Sequence, residues 1–304
     1  MSNAGKYAVG KVGRDERVRQ RTASGRNAKS AFARDDLGDS GETMSYVGQY
    51  GALLEAIANE ADAMAMAYFR TVGMRVARKL DGTALTEADG AIEAMARAKV
   101  AASGVALDVF GEEMGDGDGG ANSKTPAPAR LIIDPIDGTE EFSRGIPTFG
   151  TLLGIEREGE IVAGMASAPA LGARWWAYRG EGAYRNGQKI HVSTVERLDE
   201  AMVFTTGTGP SKGKEAREKI RRLADAARNG RALGGFWQHM LVAEGAIDAA
   251  LDWTSKPWDL APLGIIVEEA GGRSTNARAE RSIYTGDFLS TNGLIHEQAL
   301  AFLQ

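Results

Sequence analysis

Residues 131–145 read LIIDPIDGTEEFSRG, an apolar run that stops at Asp134 and delivers a second carboxylate, Asp137, just before Gly138 and Thr139. Asp-Pro and Asp-Gly are ordinary turn formers, so a turn is one explanation. A strand that ends by aiming acids at one point also suits hard divalent cations, and cations held there can receive a phosphate. Three more acids stand where elements are predicted to begin or end: Asp89 in LTEAD, Glu112 in FGEE and Asp259 in PWDLAP. Each has a bland explanation of its own. Asp89 could offset a helix dipole, Asp259 could be an N-cap, and Glu112 could be solvated. Five such acids are better explained by one site, because clustered carboxylates repel unless cations neutralise them.

Composition narrows the chemistry. Among 304 residues there is no cysteine, which excludes disulfides and thiolate metal sites. The three histidines, His191, His239 and His296, lie far apart in sequence, which argues against a His-rich zinc site. Oxygen ligands remain, and they point to magnesium, manganese or calcium. The formal net charge of −5 argues against nucleic acid as the main partner. No apolar run approaches a membrane span of ~20 residues and no signal-type core follows the start, so a reducing cytoplasm is the expected location.

The elements that must position the acids are legible from hydropathy. Residues 1–43 hold nine Lys or Arg against six Asp or Glu and show no sustained period, which predicts a disordered basic extension. The remaining residues then carry −8. A helix is expected from Tyr46 to Lys79, a second from about Thr86 to Ser103, and a short strand over 105–110. The Gly- and Asp-rich stretch 115–129 reads as an exposed loop without the distal glutamate of an EF-hand. Strands follow at ARLIID, TFGTLLGIER and EIVAGMASAP, then two around the Asn186-Gly187 hairpin signal. Beyond Asp199 strands and helices alternate. The expected organisation is an α+β subdomain over 44–195, carrying most of the acids, and an α/β subdomain over 196–304, carrying Asp259.

LTEAD, GEE twenty-three residues later, DPIDGT, and far downstream PWDLAPLGIIVEEAGG together resemble the inositol monophosphatase superfamily of magnesium-dependent, lithium-sensitive phosphatases. The resemblance covers residues 44–304. It implies the layered α-β-α-β-α sandwich of the inositol monophosphatase and fructose-1,6-bisphosphatase type, and a homodimer. By position, it makes Glu112, Asp134 and the Ile136 carbonyl ligands of a first Mg2+, and Asp134, Asp137 and Asp259 ligands of a second. A third, weaker ion would rest on Glu112 and water; Mn2+ would substitute and Li+ would inhibit. Thr139 and Asp89 would orient the attacking water, and Gly138 and Thr139 would bring backbone amides to the phosphate at a helix start. Glu113 is left out, because in extended backbone it points away from Glu112.

The leaving-group side decides the substrate, a small phosphorylated metabolite. FSRGIP, SAPALGARWWAYRGEGA, RALGGFWQHMLVAEG and STNGLIHEQAL are similar to the bacterial histidinol-phosphate phosphatase branch. Histidinol phosphate carries an ammonium and an imidazole, so its pocket should offer carboxylates. Asp252, seven residues before Asp259, and Glu244 are the candidates. Arg231 is the candidate cation, with Arg144 and Arg174 also available singly rather than as a cluster. The RWW tryptophans read as hairpin packing before substrate contact. Gly235 stands where that branch has an aspartate, and Glu140-Glu141 adds negative charge after the DGT motif. Pro262 is expected in the first turn of the helix that follows the WD pair, where it is tolerated. Two alternatives stay open. One is an inositol-1-phosphate or broad sugar-phosphate phosphatase; the other is a non-catalytic nucleic-acid-binding protein that uses the basic extension.

Overall fold

A computed structural model describes residues 45–71, 76–79, 84–116, 128–209 and 212–304. The basic stretch 1–43 and most of the loop 115–129 lie outside the described residues. The described elements run α1 (Tyr46–Tyr68), β1 (Val76–Arg78), β2 (Ala84–Thr86), α2 (Glu87–Ser103), β3 (Asp108–Gly111), β4 (Ala129–Asp137), α3 (Thr139–Ser143), β5 (Gly150–Arg157), β6 (Glu160–Ala168), β7 (Ala173–Tyr178), β8 (Gly182–Arg185) and β9 (Gln188–Lys189). They continue with β10 (Met202–Thr205), α4 (Lys214–Ala226), β11 (Asn229–Ala232), α5 (Gly235–Ala243), β12 (Ala249–Trp253), α6 (Pro257–Glu269), β13 (Arg273–Thr275), β14 (Asp287–Thr291) and α7 (His296–Leu300).

Two large sheets organise the described residues. β3 to β9 form a seven-stranded sheet in sequence order, antiparallel except where β3 runs parallel to β4. The second sheet has the order β11-β10-β12-β14-β13, parallel around β10 and antiparallel around β14. Side-chain alternation sorts the cores. Leu131 and Ile133 of β4 join Leu54, Ile57 and Val100 of α1 and α2 on one face. Ile132, with Leu152 and Trp175, faces Phe236, Met240 and Leu263 of α5 and α6. Beyond those helices, Val203, Leu251 and Leu289 of the second sheet pack on Ile220 and Leu223 of α4 and Ala299 of α7. The layers are therefore α-β-α-β-α, as the resemblance implies. Among the described residues no helix is long and apolar enough to cross a membrane.

Several boundaries differ from expectation. The first helix stops at Tyr68, not Lys79. Phe69 leaves it to pack against Phe142 and Phe149, with ring centroids 5.8 and 4.8 Å away. Arg70 then takes a positive φ and donates to the Gly145 carbonyl at 2.9 Å. Residues 76–78 pair with 84–86 as a small hairpin instead. The strand expected to end at Asp134 continues to Asp137, and Pro262 is the sixth residue of α6, past its first turn. β11 and β13, four and three residues long, were not expected. Neither offers enough residues for a period to show.

Candidate metal centre

β4 supplies two of the acids. In a regular strand, residues three apart face opposite sides. Here Asp134 pairs with Leu152 and Asp137 with Gly150, so two residues of β4 stand against one of β5. The extra residue of this bulge brings both carboxylates to one side. Thr151 Oγ1 pins it by donating to the Pro135 carbonyl at 2.9 Å. Asp259 arrives from the first turn of α6, where its Oδ2 accepts the Lys256 N–H at 2.8 Å. One carboxylate oxygen from each of Asp134, Asp137 and Asp259 lies within 4.8 Å of the others.

This proximity is electrostatically costly. Burial, then the charges of Glu112, Asp137 and Asp259, push the Asp134 carboxyl well above the usual carboxylate range. Burial and Asp259 do the same to Asp137, against a 3.0 Å hydrogen bond from the Phe236 N–H. Asp259 is pushed up to about 7, first by burial and then by Glu112 and Asp252. The raised values mean that the folded chain holds these protons longer than the unfolded chain. For Asp259 the cost is therefore absent below its unfolded value near 3.8, grows as pH rises toward about 7 and is complete above it, and Asp134 and Asp137 shift in the same direction.

A cation would remove the cost, and the donor set fits one. All the donors are oxygens, which suits Mg2+ or Mn2+. Asp134 Oδ1 is buried without a hydrogen-bond partner. Glu112 already holds a positive charge, since Lys79 Nζ donates to its Oε1 at 2.6 Å. Lys79 also reaches Glu113 Oε1 at 2.7 Å. Burial alone would lower the Lys79 ammonium, but its two carboxylate partners outweigh that and raise it. Glu113 thus shares the cation of Glu112 rather than pointing away from it. The expectation failed because residues 112–114 form a turn, not extended backbone.

The residues expected to orient water also meet. Thr139 Oγ1 stands 3.1 Å from Asp89 Oδ1 and 2.8 Å from the Ile136 carbonyl. Asp89 is at the third position of α2, where its Oδ2 accepts the Thr86 N–H at 2.8 Å. Burial raises its carboxyl, against the Thr86 hydrogen bonds. Asp89 and Asp259 thus use one oxygen to cap a helix and keep the other for the site. Gly138 takes φ 81° ahead of α3, and a Cβ there would stand 2.7 Å from the Thr148 carbonyl. α3 is only five residues long, so its dipole is small.

The substrate-side candidates are dispersed. Asp252 is buried, with Oδ1 on Gln238 Nε2 at 2.7 Å and Oδ2 3.2 Å from His239 Nε2. Its charge is felt at Asp137 and Asp259. Glu244 caps the other end of α5, roughly 13 Å along the axis from Gly235 by helical rise. There it accepts the indole N–H of Trp175 at 2.6 Å and pairs with Arg185 at 3.3 Å. Trp175 is fully buried against Phe236, in keeping with hairpin packing. Arg231 is exposed on the edge strand β11, in a groove with Lys214 and Arg217. Lys79, Gln238 and His239 were missed by the sequence reading. Gln238 and His239 lie inside the RALGGFWQHMLVAEG stretch, but neither they nor Lys79 stand at a spacing that marks a contact with an acid.

The profile of the inositol monophosphatase family matches residues 50–303. The histidinol-phosphatase of Mycobacterium tuberculosis is 37% identical over 253 residues, spanning 82% of this chain and 95% of that protein. The histidinol-phosphatase of Streptomyces coelicolor is 35% identical over 263 residues, spanning 83% and 95%. Among solved structures, the inositol monophosphatase of Thermotoga maritima has a TM-score of 0.72 at 28% identity, covering 83% of this chain and 95% of its own.

Proposed function

The chain belongs to the inositol monophosphatase family, and on that premise we propose that this phosphomonoesterase hydrolyses L-histidinol phosphate to L-histidinol and phosphate. The observation that carries the substrate is the likeness to histidinol-phosphatases along nearly the whole of those proteins. Glu112, Asp134 and the Ile136 carbonyl would hold one Mg2+, and Asp134, Asp137 and Asp259 a second. When bound, such cations neutralise the phosphate dianion, acidify water and stabilise the leaving oxygen.

The chain's own residues do the rest. The Thr139 hydroxyl, whose one proton lies between the Asp89 carboxylate and the Ile136 carbonyl, offers its lone pair to a water, which fixes the direction of attack. Burial makes Asp89 a better proton acceptor than an exposed aspartate. Asp252, held by Gln238 and His239 and close enough to act on Asp137 and Asp259, would add negative charge on the leaving-group side, which favours an ammonium-bearing alcohol.

One observation favours a polyol phosphate instead. Gly235 has φ 68°, and a Cβ there would meet only Asp137 Oδ2, at 3.1 Å. No acid occupies this position, and open space remains beside it. The test is phosphate release by the full-length chain with Mg2+, from L-histidinol phosphate and myo-inositol 1-phosphate side by side. A preference of ~100-fold for histidinol phosphate is expected, about 2.7 kcal/mol of transition-state discrimination. A preference for inositol phosphate would replace the substrate assignment with the polyol one.

A further inference from the structure

Glu112 is the one proposed ligand carried by a turn rather than by a strand or helix, and something must hold that turn. Glu93 is fully buried four residues after Asp89 on α2, so both lie on one face of the helix. Its Oε2 accepts the Glu113 N–H at 2.8 Å and its Oε1 the Met114 N–H at 3.2 Å. These are the two amides that follow Glu112. Arg97, four residues further along the same face, donates to Glu93 Oε1 at 2.7 and 3.0 Å. It also donates to the Val109 carbonyl at 3.1 Å and the Gly115 carbonyl at 2.6 Å. One ion pair therefore ties β3, the turn and Gly115, where the turn bridges back to Gly111, together. Gly111 makes room for it, since a Cβ there would lie 2.2 Å from Glu93 Oε1.

A buried ion pair contributes little net stability compared with apolar packing, so stability alone is a weak reason for its presence. The hydrogen bonds of this one converge on the backbone around Glu112. We propose that Glu93 and Arg97 are positioning residues that hold the Glu112 carboxylate against the acid cluster, and so set the affinity of the site for divalent cations. The inference rests on the metal reading of that cluster. Glu93 is fully buried, with its oxygens taken by Arg97 and the two amides, so it is not itself a proposed ligand. Its loss should loosen cation binding while leaving turnover at saturating Mg2+ nearly intact.

The test uses the full-length chain and Mn2+, with binding followed by the electron paramagnetic resonance of the free ion. Removing a group that orients a metal ligand costs 10- to 100-fold in affinity. Glu93→Gln, which has one acceptor oxygen for several donors, is therefore expected to bind Mn2+ at least ~10-fold more weakly. The Mg2+ concentration for half-maximal phosphate release should rise by the same factor. The rate at saturating Mg2+ should stay within about threefold, because no atom that touches substrate has changed. Glu156→Gln is the control, since Glu156 is also buried and paired with an arginine, Arg130, but serves no turn at the site. It should lower the melting temperature and leave Mn2+ affinity alone. Adding Glu112→Gln to Glu93→Gln should cost less than the sum of the two. If Glu93→Gln does not fold, Arg97→Lys, which cannot span both carbonyls, takes its place with the same expected direction. Wild-type Mn2+ affinity in the folded variant would overturn the proposal alone. Failure of the wild-type chain to bind Mn2+ would overturn the metal reading with it.

Discussion

Asp137→Asn is expected to abolish phosphate release, by ~10⁴-fold or more, which is over about 5.4 kcal/mol of transition-state stabilisation. Asparagine keeps the shape and still accepts the Phe236 N–H, so α5 stays docked at the site. It removes the negative charge that Asp134 and Asp259 oppose across less than 4.8 Å. Without Mg2+ the variant should therefore melt at or above the wild-type temperature, because repulsion inside a buried cluster has been relieved. The pairing of lost turnover with retained stability separates a ligand from a scaffold residue. Steady-state phosphate release and thermal melts on the same preparation read both, and near-normal turnover would sink the metal assignment.

The second large effect is expected at Asp89 and Thr139, which act as a unit. Removing a positioned proton acceptor costs typically 10²- to 10⁴-fold. Asp89→Asn should fall in that range, because an amide N–H would face the Thr139 hydroxyl where a carboxylate oxygen now stands 3.1 Å away. Thr139→Ala should cost about 10²-fold, and Thr139→Ser should recover most of it. Residues that work together are non-additive in kinetics. The double variant should lose no more than the worse single variant, with Mg2+ dependence unchanged in all of them. Full additivity would mean that the two serve separate steps.

The layered fold was legible because long periodic segments and the Asn186-Gly187 turn announce themselves, and because several motifs agree with one family. Convergence of Asp134, Asp137 and Asp259 was legible as a set of acids. Its means was not: a three-residue spacing reads as opposite faces until the bulge against β5 is seen. Glu113 was misplaced because a turn was read as a strand. The helix end at Tyr68 was hidden by a tertiary contact, the Phe69 ring against Phe142 and Phe149, which local periodicity does not encode. Glu93 and Arg97 carry an i, i+4 charge pattern that normally marks a solvated helix face. Only the burial of Glu93 gives the pair another meaning.

The substrate side is where sequence and structure separate most. Asp252 and Glu244 were chosen for their charge, and the fold gives them different neighbours. Asp252 is bound by Gln238 and His239 and its charge acts on Asp137 and Asp259, whereas Glu244 holds Trp175 and Arg185 at the far end of α5. Arg231, which seemed isolated in sequence, shares its groove with Lys214 and Arg217 across the α4 connection.

The central claim is that the converging acids are a divalent-cation site. The most direct measurement is a calorimetric titration of Mg2+ into the metal-free full-length chain at pH 8 and at pH 6. At pH 8 Asp259, pushed up to about 7, is ionised, and at least two ions per chain are expected to bind, with one or more lost in Asp137→Asn. At pH 6 protons compete for Asp259, whose value stands at about 7. Binding should therefore weaken and release protons to the buffer. No binding at either pH would contradict the account at its foundation.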